Sequence, residues 1–392
     1  MKRRLAIHLA FWLVAAALVR VALLPAEVCP PVTAAQLSQA IFEASDWMAL
    51  GIGEDGRYVY GYDLNTDTES SGYNSARHAG VTMSLYQVYA ATGERRYLDA
   101  ADVGTGYMLD RLESRDGWVA WGEPGFDRAT GANGLFLAGL SLRRRATGDP
   151  VHDDVMRGVG AFLVGQQEPG GAISASLDLA KGEPVAGNYG PFATGEAAWA
   201  LVLLGEVLPG EGWAEAALPT IDYIATSRDE AEGYIARLPD HWAAYALGDL
   251  PPEYLDPTRL VLAERLAGYF GMRLRFEAGR TGEGVNLWVR WYPGPPAGVG
   301  TAGEGIGALH RLAVAGGPLA HLRDNIEERL VCTAGFMVER QVTRAVAADL
   351  PSPDLAGGAW FYRGYTQMDG QQHVVSALLA ALPIVEAREG SR

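Results

Sequence analysis

Apolar positions recur at helical spacing in paired stretches along most of the chain. In "NSARHAGVTMSLYQVYAATGERRYLDAADVGTGYMLDRL", Val81, Leu85, Val88 and Tyr89 share one helix face. "ATGERR" interrupts, and Tyr97, Leu98, Ala101 and Met108 start a second stripe. The same Ala-Thr-Gly break divides "GANGLFLAGLSLRRRATGDPVHDDVMRGVGAFLVGQQ". A Pro-Gly break divides "FATGEAAWALVLLGEVLPGEGWAEAALPTIDYI", and Pro251-Pro252 separates "DHWAAYALGDL" from "PTRLVLAERLAGYFGMRLRF". A fifth pair spans "GTAGEGIGALHRLAVAGGPLAHLRDNIEERLVCTAGFMVERQV". The last stripe, "DGQQHVVSALLAALPIVEAR", lacks a second helix, which "TAAQLSQAIFEASDWMALG" near the N-terminus would supply.

Short aromatic or Gly-bearing segments precede the pairs: "GRYVYGYD", "DGWVAWGEPG", "PGGAISASLD", "EGYIARLPD", "NLWVRWYPG" and "GGAWFYRGY". Alternation such as Tyr58-Val59-Tyr60 marks them as extended. The repeating unit is therefore strand or loop, inner helix, turn, outer helix. Six such pairs with parallel inner helices close into an all-α (α/α)6 toroid with short β segments in its connecting loops. An open solenoid is the alternative, but inner helices starting near 75, 133, 194, 240, 301 and 370 are too irregular for one. No low-complexity linker follows residue 30, so residues 29–392 read as one domain.

Lys2, Arg3 and Arg4 precede an apolar run over residues 5–24, about one bilayer span. Residues 1–28 read as a signal anchor, one N-terminal transmembrane helix with the main domain extracytoplasmic. Arg20 lies near the helix end, where it snorkels to the interface. A signal peptide cleaved near Ala26, a lipid anchor at Cys29 and a buried helix are the alternatives. Two cysteines are too few for a disulfide scaffold or zinc cluster. Cys332, inside a helical pattern, reads as a small buried hydrophobe; a bond to Cys29 in an oxidising compartment is the other reading.

The 392 residues, 48% hydrophobic, suffice for a large core. A net charge of −15 excludes nucleic acid as a partner. Lysine occurs only at Lys2 and Lys181, which with abundant Ala and Gly suggests a GC-rich bacterial genome.

Parallel inner helices would bring their N-termini, with free N–H groups and positive dipole ends, to one mouth of the ring. Glu196, Asp240, His241, Glu304, Asp369 and His373 are the catalytic candidates there; Arg77, His78, Asn133, Tyr189, Trp242, Trp291 and Gln372 are the substrate-binding candidates. Thr194, Asp240, Thr301 and Asp369 also suit helix N-caps. Thr301 and Glu304 have capping-box spacing, which Glu196 lacks. Carboxylates from alternate hairpins would stand within about 10 Å, the range of paired glycosidase acids. Three of the seven histidines, His78, His241 and His373, fall at inner-helix starts, suiting proton transfer near neutral pH. A three-His metal site is awkward, because hairpins one and four face each other across the ring. No HExxH spacing exists, and neither metal nor cofactor is expected. Trp121, Tyr189, Trp242, Trp288, Trp291, Trp360 and Tyr365 sit in loops or at helix starts, where rings stack on sugars or pack hairpins together.

The helix-pair pattern resembles the six-hairpin glycan enzymes, which include unsaturated glucuronyl hydrolases and the N-acylglucosamine and cellobiose 2-epimerases. "NSARHAGVTMSLYQVYAATGERRYLDAADVGTGYML" is similar to the first epimerase hairpin, whose arginine lies in the sugar site; that implies the same for Arg77. The epimerases use two histidines as acid and base, which implies His241 and His373 as counterparts. "QQEPGGAIS" looks like a terpene cyclase or prenyltransferase turn, but the Asp-rich cyclase motif is absent. The expected function is an extracytoplasmic glycoside hydrolase or lyase with carboxylate and imidazole acid–base chemistry, with a glycan and the membrane as partners. A sugar epimerase and a non-catalytic glycan-binding scaffold subunit are the alternatives.

Overall fold

The computed structural model describes residues 2–22, 26–115, 117–123, 125–234, 238–282 and 292–391. After α1 (Lys2–Ala22) and α2 (Ala34–Leu50), the stripes fold as antiparallel pairs: α3 (Ser75–Thr92) with α4 (Arg95–Leu109), α5 (Thr130–Thr147) with α6 (Asp153–Gly165), and α7 (Ala193–Val207) with α8 (Trp213–Thr226). Next come α9 (His241–Asp249) with α10 (Pro257–Ala278), and α11 (Pro296–Ala313) with α12 (Arg323–Arg340). The final helix, α13 (Met368–Gly390), takes α2 as its outer partner.

The local chemistry explains the breaks. Asn74 caps α3 by accepting from the Arg77 N–H. The two Ala-Thr-Gly breaks end α3 and α5 at Gly93 and Gly148, both at φ 73°, where a side chain would be strained. Each glycine N–H returns to its helix, at Tyr89 O and Arg144 O.

Ring closure is visible in the packing. Consecutive inner helices α3, α5, α7, α9, α11 and α13 touch, and α13 packs on α3. Inner helices are enclosed on nearly all sides, as in α7, where every residue from Ala193 to Leu204 is buried, Thr194 and Glu196 included. Outer helices bury one face, as α6 does with Met156, Val159, Phe162 and Leu163. The α11–α13 approach is close: a Cβ on Gly300 would lie 2.6 Å from the His373 backbone, so only glycine fits there.

Short sheets decorate the mouth. Strand β1 (Gly61–Asp63) lies between β2 (Thr68–Glu69) and β8 (Tyr365–Gln367), with Tyr62 opposite Thr366, joining the first hairpin's loop to the last's. Strands β3 (Leu112–Arg115) and β4 (Trp118–Trp121) pair, as do β5 (Arg128–Ala129), β6 (Ser176–Asp178) and β7 (Glu183–Pro184). Strand β5 runs directly into α5 and β8 into α13, so these strands stand at inner-helix starts. The described residues of "EGYIARLPD" form no strand, and residues 283–291 of "NLWVRWYPG" and its approach lie outside the described residues.

Two N-terminal expectations are revised. Cys332 is buried but not free: it forms a disulfide with Cys29. The segment around Cys29 is pinned further, by Val28 N–H donating to Ala278 O (2.9 Å) and by Glu27 pairing with Arg275 (2.6 Å) and Arg329. Among the described residues, no helix is long and apolar enough to cross a membrane. The helix expected to do so, α1, carries Arg3, Arg4 and Arg20 around its apolar stretch, and residues 23–25 lie outside the described residues. Nor is α1 buried: Leu5, Leu9, Phe11, Trp12 and Leu13 are all exposed.

Candidate active site

A cavity of about 400 Å³ lies where the inner helices begin. All six contribute to its wall: Arg77, Leu135, Glu196, His241, Thr301 and His373. Trp242, Asp369 and Gln372 line it too, with Phe192 just ahead of α7 and Arg273 from α10. A larger groove of about 880 Å³ runs along the outer wall between α10 and α12. Its charges pair among themselves (Glu27 with Arg275 and Arg329, His321 with Glu264), so convergent reactive groups belong to the mouth instead.

Glu196 sits in the first turn of α7. Its carboxylate reaches toward α5, where a Cβ on Gly131 would stand 2.0 Å from Oε2, so the glycine makes room for the acid. The residue is 8% exposed, and no hydrogen bond from a described residue reaches the carboxylate. Burial, with a smaller push from Asp240, raises its pKa to about 8. Glu196 therefore keeps its proton at neutral pH.

Glu304 lies deeper. Helix α11 begins at Pro296, not near Thr301, so Thr301 and Glu304 form no capping box. Thr301 Oγ1 donates to Gly298 O (3.2 Å), and Glu304 falls in the third turn, below the mouth. Its Oε2 is 2.5 Å from His373 Nδ1 and 3.7 Å from His241 Nε2. Gln372 Nε2 is 2.9 Å from the same His373 nitrogen. Burial pushes the Glu304 carboxyl up. Burial opposes charge on His373, but the adjoining Glu304 carboxylate outweighs it and raises the imidazole pKa. His241 goes the other way: burial, then the His373 and Arg273 charges, hold it well below its ordinary value, so it is neutral. The rings of His241 and His373 meet edge-on at 5.1 Å, and His241 lies 4.2 Å from Trp242.

Asp369 accepts from Arg77 Nε (3.1 Å), whose Nη1 also bonds the Tyr60 hydroxyl. Arg77 keeps 35% of its side chain exposed at the rim, leaving it able to meet a ligand.

Four expected site residues serve the scaffold. His78 is fully buried, taking a hydrogen bond from Tyr73 Oη at Nδ1 (2.7 Å) and donating from Nε2 to Gly104 O (2.9 Å); burial lowers its pKa to about 4. Asn133 spends its amide on Trp121 N, Trp121 O and Ala129 O, fixing the end of β4. Asp240 caps α9 through the Trp242 and Ala243 N–H groups and holds Arg228 at 2.6 Å, both side chains buried. Tyr189 donates to Glu168 (2.9 Å) away from the cavity wall. Trp291 lies outside the described residues, as does Trp288. Trp121 and Trp360 are buried packing residues. The α7 cap position is Phe192, so Thr194 is no cap; its hydroxyl is buried without a partner among the described residues. Phe192 and Arg273 were not anticipated. An aromatic just before a helix start was a usable signal for Phe192, whereas Arg273 reaches the mouth from an outer helix, which no local pattern announces.

No protein-family model matches the chain, and no curated protein matches it. Solved structures do. A family 76 glycoside hydrolase (mannosidase) from Bacteroides thetaiotaomicron VPI-5482 is 14% identical, with 91% of this chain and 99% of that one covered at a TM-score of 0.60. An unsaturated glucuronyl hydrolase specific for heparin is 12% identical, with 90% and 98% covered at 0.61. The cellobiose 2-epimerase from Spirochaeta thermophila DSM 6192 is 13% identical, with 91% and 97% covered at 0.56. The chain shares the (α/α)6 toroid with these glycan enzymes. A type II terpene cyclase from Scytonema adopts it too, so the fold by itself does not select the chemistry.

Proposed function

We propose that this chain is a carbohydrate-active enzyme, a glycoside hydrolase or lyase. The observation that carries this reading is Glu196: a carboxyl that holds its proton to about pH 8 in a cavity built by all six inner helices. In the proposed reaction Glu196 protonates the departing glycosidic oxygen as general acid. His373, oriented at Nδ1 by Glu304, accepts the proton, from water in hydrolysis or from a sugar C–H in elimination. Arg77, braced by Asp369, binds a hydroxyl-rich or anionic group of the glycan. Phe192, exposed at the mouth, offers its ring to the sugar, whereas Trp242 is buried between Trp199 and His241 and backs the imidazoles.

The domain is further proposed to work outside the cytoplasm, tethered through α1. Support comes from the Cys29–Cys332 bond, which needs an oxidising compartment to persist, and from the exposed apolar surface of α1 behind Lys2, Arg3 and Arg4.

A sugar epimerase is the second reading, favoured by Arg77, His241 and His373 lining one cavity. The test is to screen the purified full chain on bacterial polysaccharides for new reducing ends and for the ultraviolet absorbance of an unsaturated uronide. Glu196→Gln is expected to lower turnover about 10²–10⁴-fold, as removal of a general acid does. Isomerised free sugar without cleavage selects the epimerase. Glycan binding without turnover, unaltered by Glu196→Gln, selects a non-catalytic scaffold.

A further inference from the structure

Glu304, His241 and His373 come from three consecutive inner helices, α11, α9 and α13. Their ligand atoms all lie within 4.8 Å of one another, and all three residues are enclosed. Two of those residues carry a buried atom that makes no hydrogen bond among the described residues, His241 Nε2 and Glu304 Oε1, although the Ser376 and Tyr245 hydroxyls stand beside the Glu304 carboxyl. Such orphans are costly unless something occupies the space between them. We propose that this trio binds one first-row divalent transition cation, with Zn²⁺ the best fit.

The donor set supports the class. Two imidazole nitrogens and one carboxylate oxygen suit Zn²⁺, Co²⁺ or Mn²⁺, whereas Ca²⁺ and Mg²⁺ prefer all-oxygen shells. Bonds near 2 Å place neighbouring ligand atoms about 3 to 3.5 Å apart. The His241–Glu304 separation of 3.7 Å is close to that already. The His373–Glu304 pair, at 2.5 Å, must open by about 1 Å once its shared proton gives way to the cation. His241 and His373 also face the cavity, which leaves an open coordination position toward the ligand, the arrangement of a catalytic rather than structural site. The three histidines at inner-helix starts do not form this group, because its third member is an acid and His78 packs in the aromatic core.

Coordination through Nδ1 would leave the proton of His373 on Nε2, so this proposal replaces His373 as the base of the acid–base reading and leaves Glu196 as the acid; its test does not use turnover. Full chain, stripped with a chelator and desalted, is titrated with Co²⁺ and then Zn²⁺. One equivalent of Co²⁺ is expected to raise visible d–d bands that one equivalent of Zn²⁺ abolishes. His241→Ala and the near-isosteric Glu304→Gln should each weaken binding by more than the about 10–100-fold typical of outer partners. Glu196→Gln should bind the same equivalent of metal while losing glycan turnover, so the two readings fail separately. The absence of saturable Co²⁺ bands in the wild-type chain overturns the proposal whether or not a variant folds, and so does unchanged affinity in Glu304→Gln.

Discussion

Burial acts on Glu196 and His78 in opposite directions, and both can be read as stability. The folded chain holds the Glu196 proton to about pH 8, whereas an unfolded glutamate releases it near 4.5. The contribution is complete below pH 4.5 and is lost as pH rises toward 8. Relative to Glu196→Gln, wild type should therefore lose on the order of 1.4 kcal/mol of stability per pH unit across that window. Urea unfolding midpoints of the two proteins at matched pH measure it, and parallel curves would refute the buried proton. His78 runs the other way. Its folded pKa of about 4 lies below the ordinary 6.5, so its contribution is present above 6.5 and lost as pH falls to 4. Replacing His78 with Gln should flatten the acid side of the stability curve relative to wild type. Turnover should be retained wherever the variant is folded, since His78 lies off the cavity wall.

Elements show where sequence patterning succeeds. The Ala-Thr-Gly breaks were legible because a glycine at φ 73° leaves a chemical signature beside the stripe it ends. The start of α11 was not. "PGPPAGVGTAGEGIG" has too many glycines for its propensity to indicate a helix, yet those glycines let α11 press against α13. Packing overrode propensity, and the five-residue shift moved Glu304 from a presumed cap to the floor of the site. Asp240 illustrates the converse, since its capping role was legible but its buried partner Arg228, 12 residues earlier, was not. Asp240→Asn keeps a capping side chain but removes the nearer of the two carboxylates around Arg228, leaving Asp229 at 3.5 Å. It should cost about 1–3 kcal/mol, read as a lowered thermal midpoint. A midpoint within experimental error of wild type would show the pair to be dispensable.

At the scale of the whole molecule, ring closure was legible from counting stripes. Five complete pairs and one orphan require a partner, and α2 is that partner across more than 300 residues of sequence. The Cys29–Cys332 bond closes a similar span, a separation of 303 residues, and chain entropy assigns it a contribution on the order of 5 kcal/mol. Cys29→Ser should lower the thermal midpoint and expose the segment after α1 to protease, with turnover intact because neither cysteine lines the cavity. The choice of reactive groups was only partly legible, because Asn133, His78 and Asp240 begin inner helices as Glu196 does but turn their side chains into the scaffold. The central claim is that ring closure makes Glu196 a proton donor to a glycan, and the pH dependence of kcat/KM on the responsive polysaccharide tests it most directly. The wild-type rate should fall as pH rises through about 8, and Glu196→Gln should be slower by about 10²–10⁴-fold with that alkaline fall removed. A variant that matches wild type in both rate and alkaline fall would contradict it.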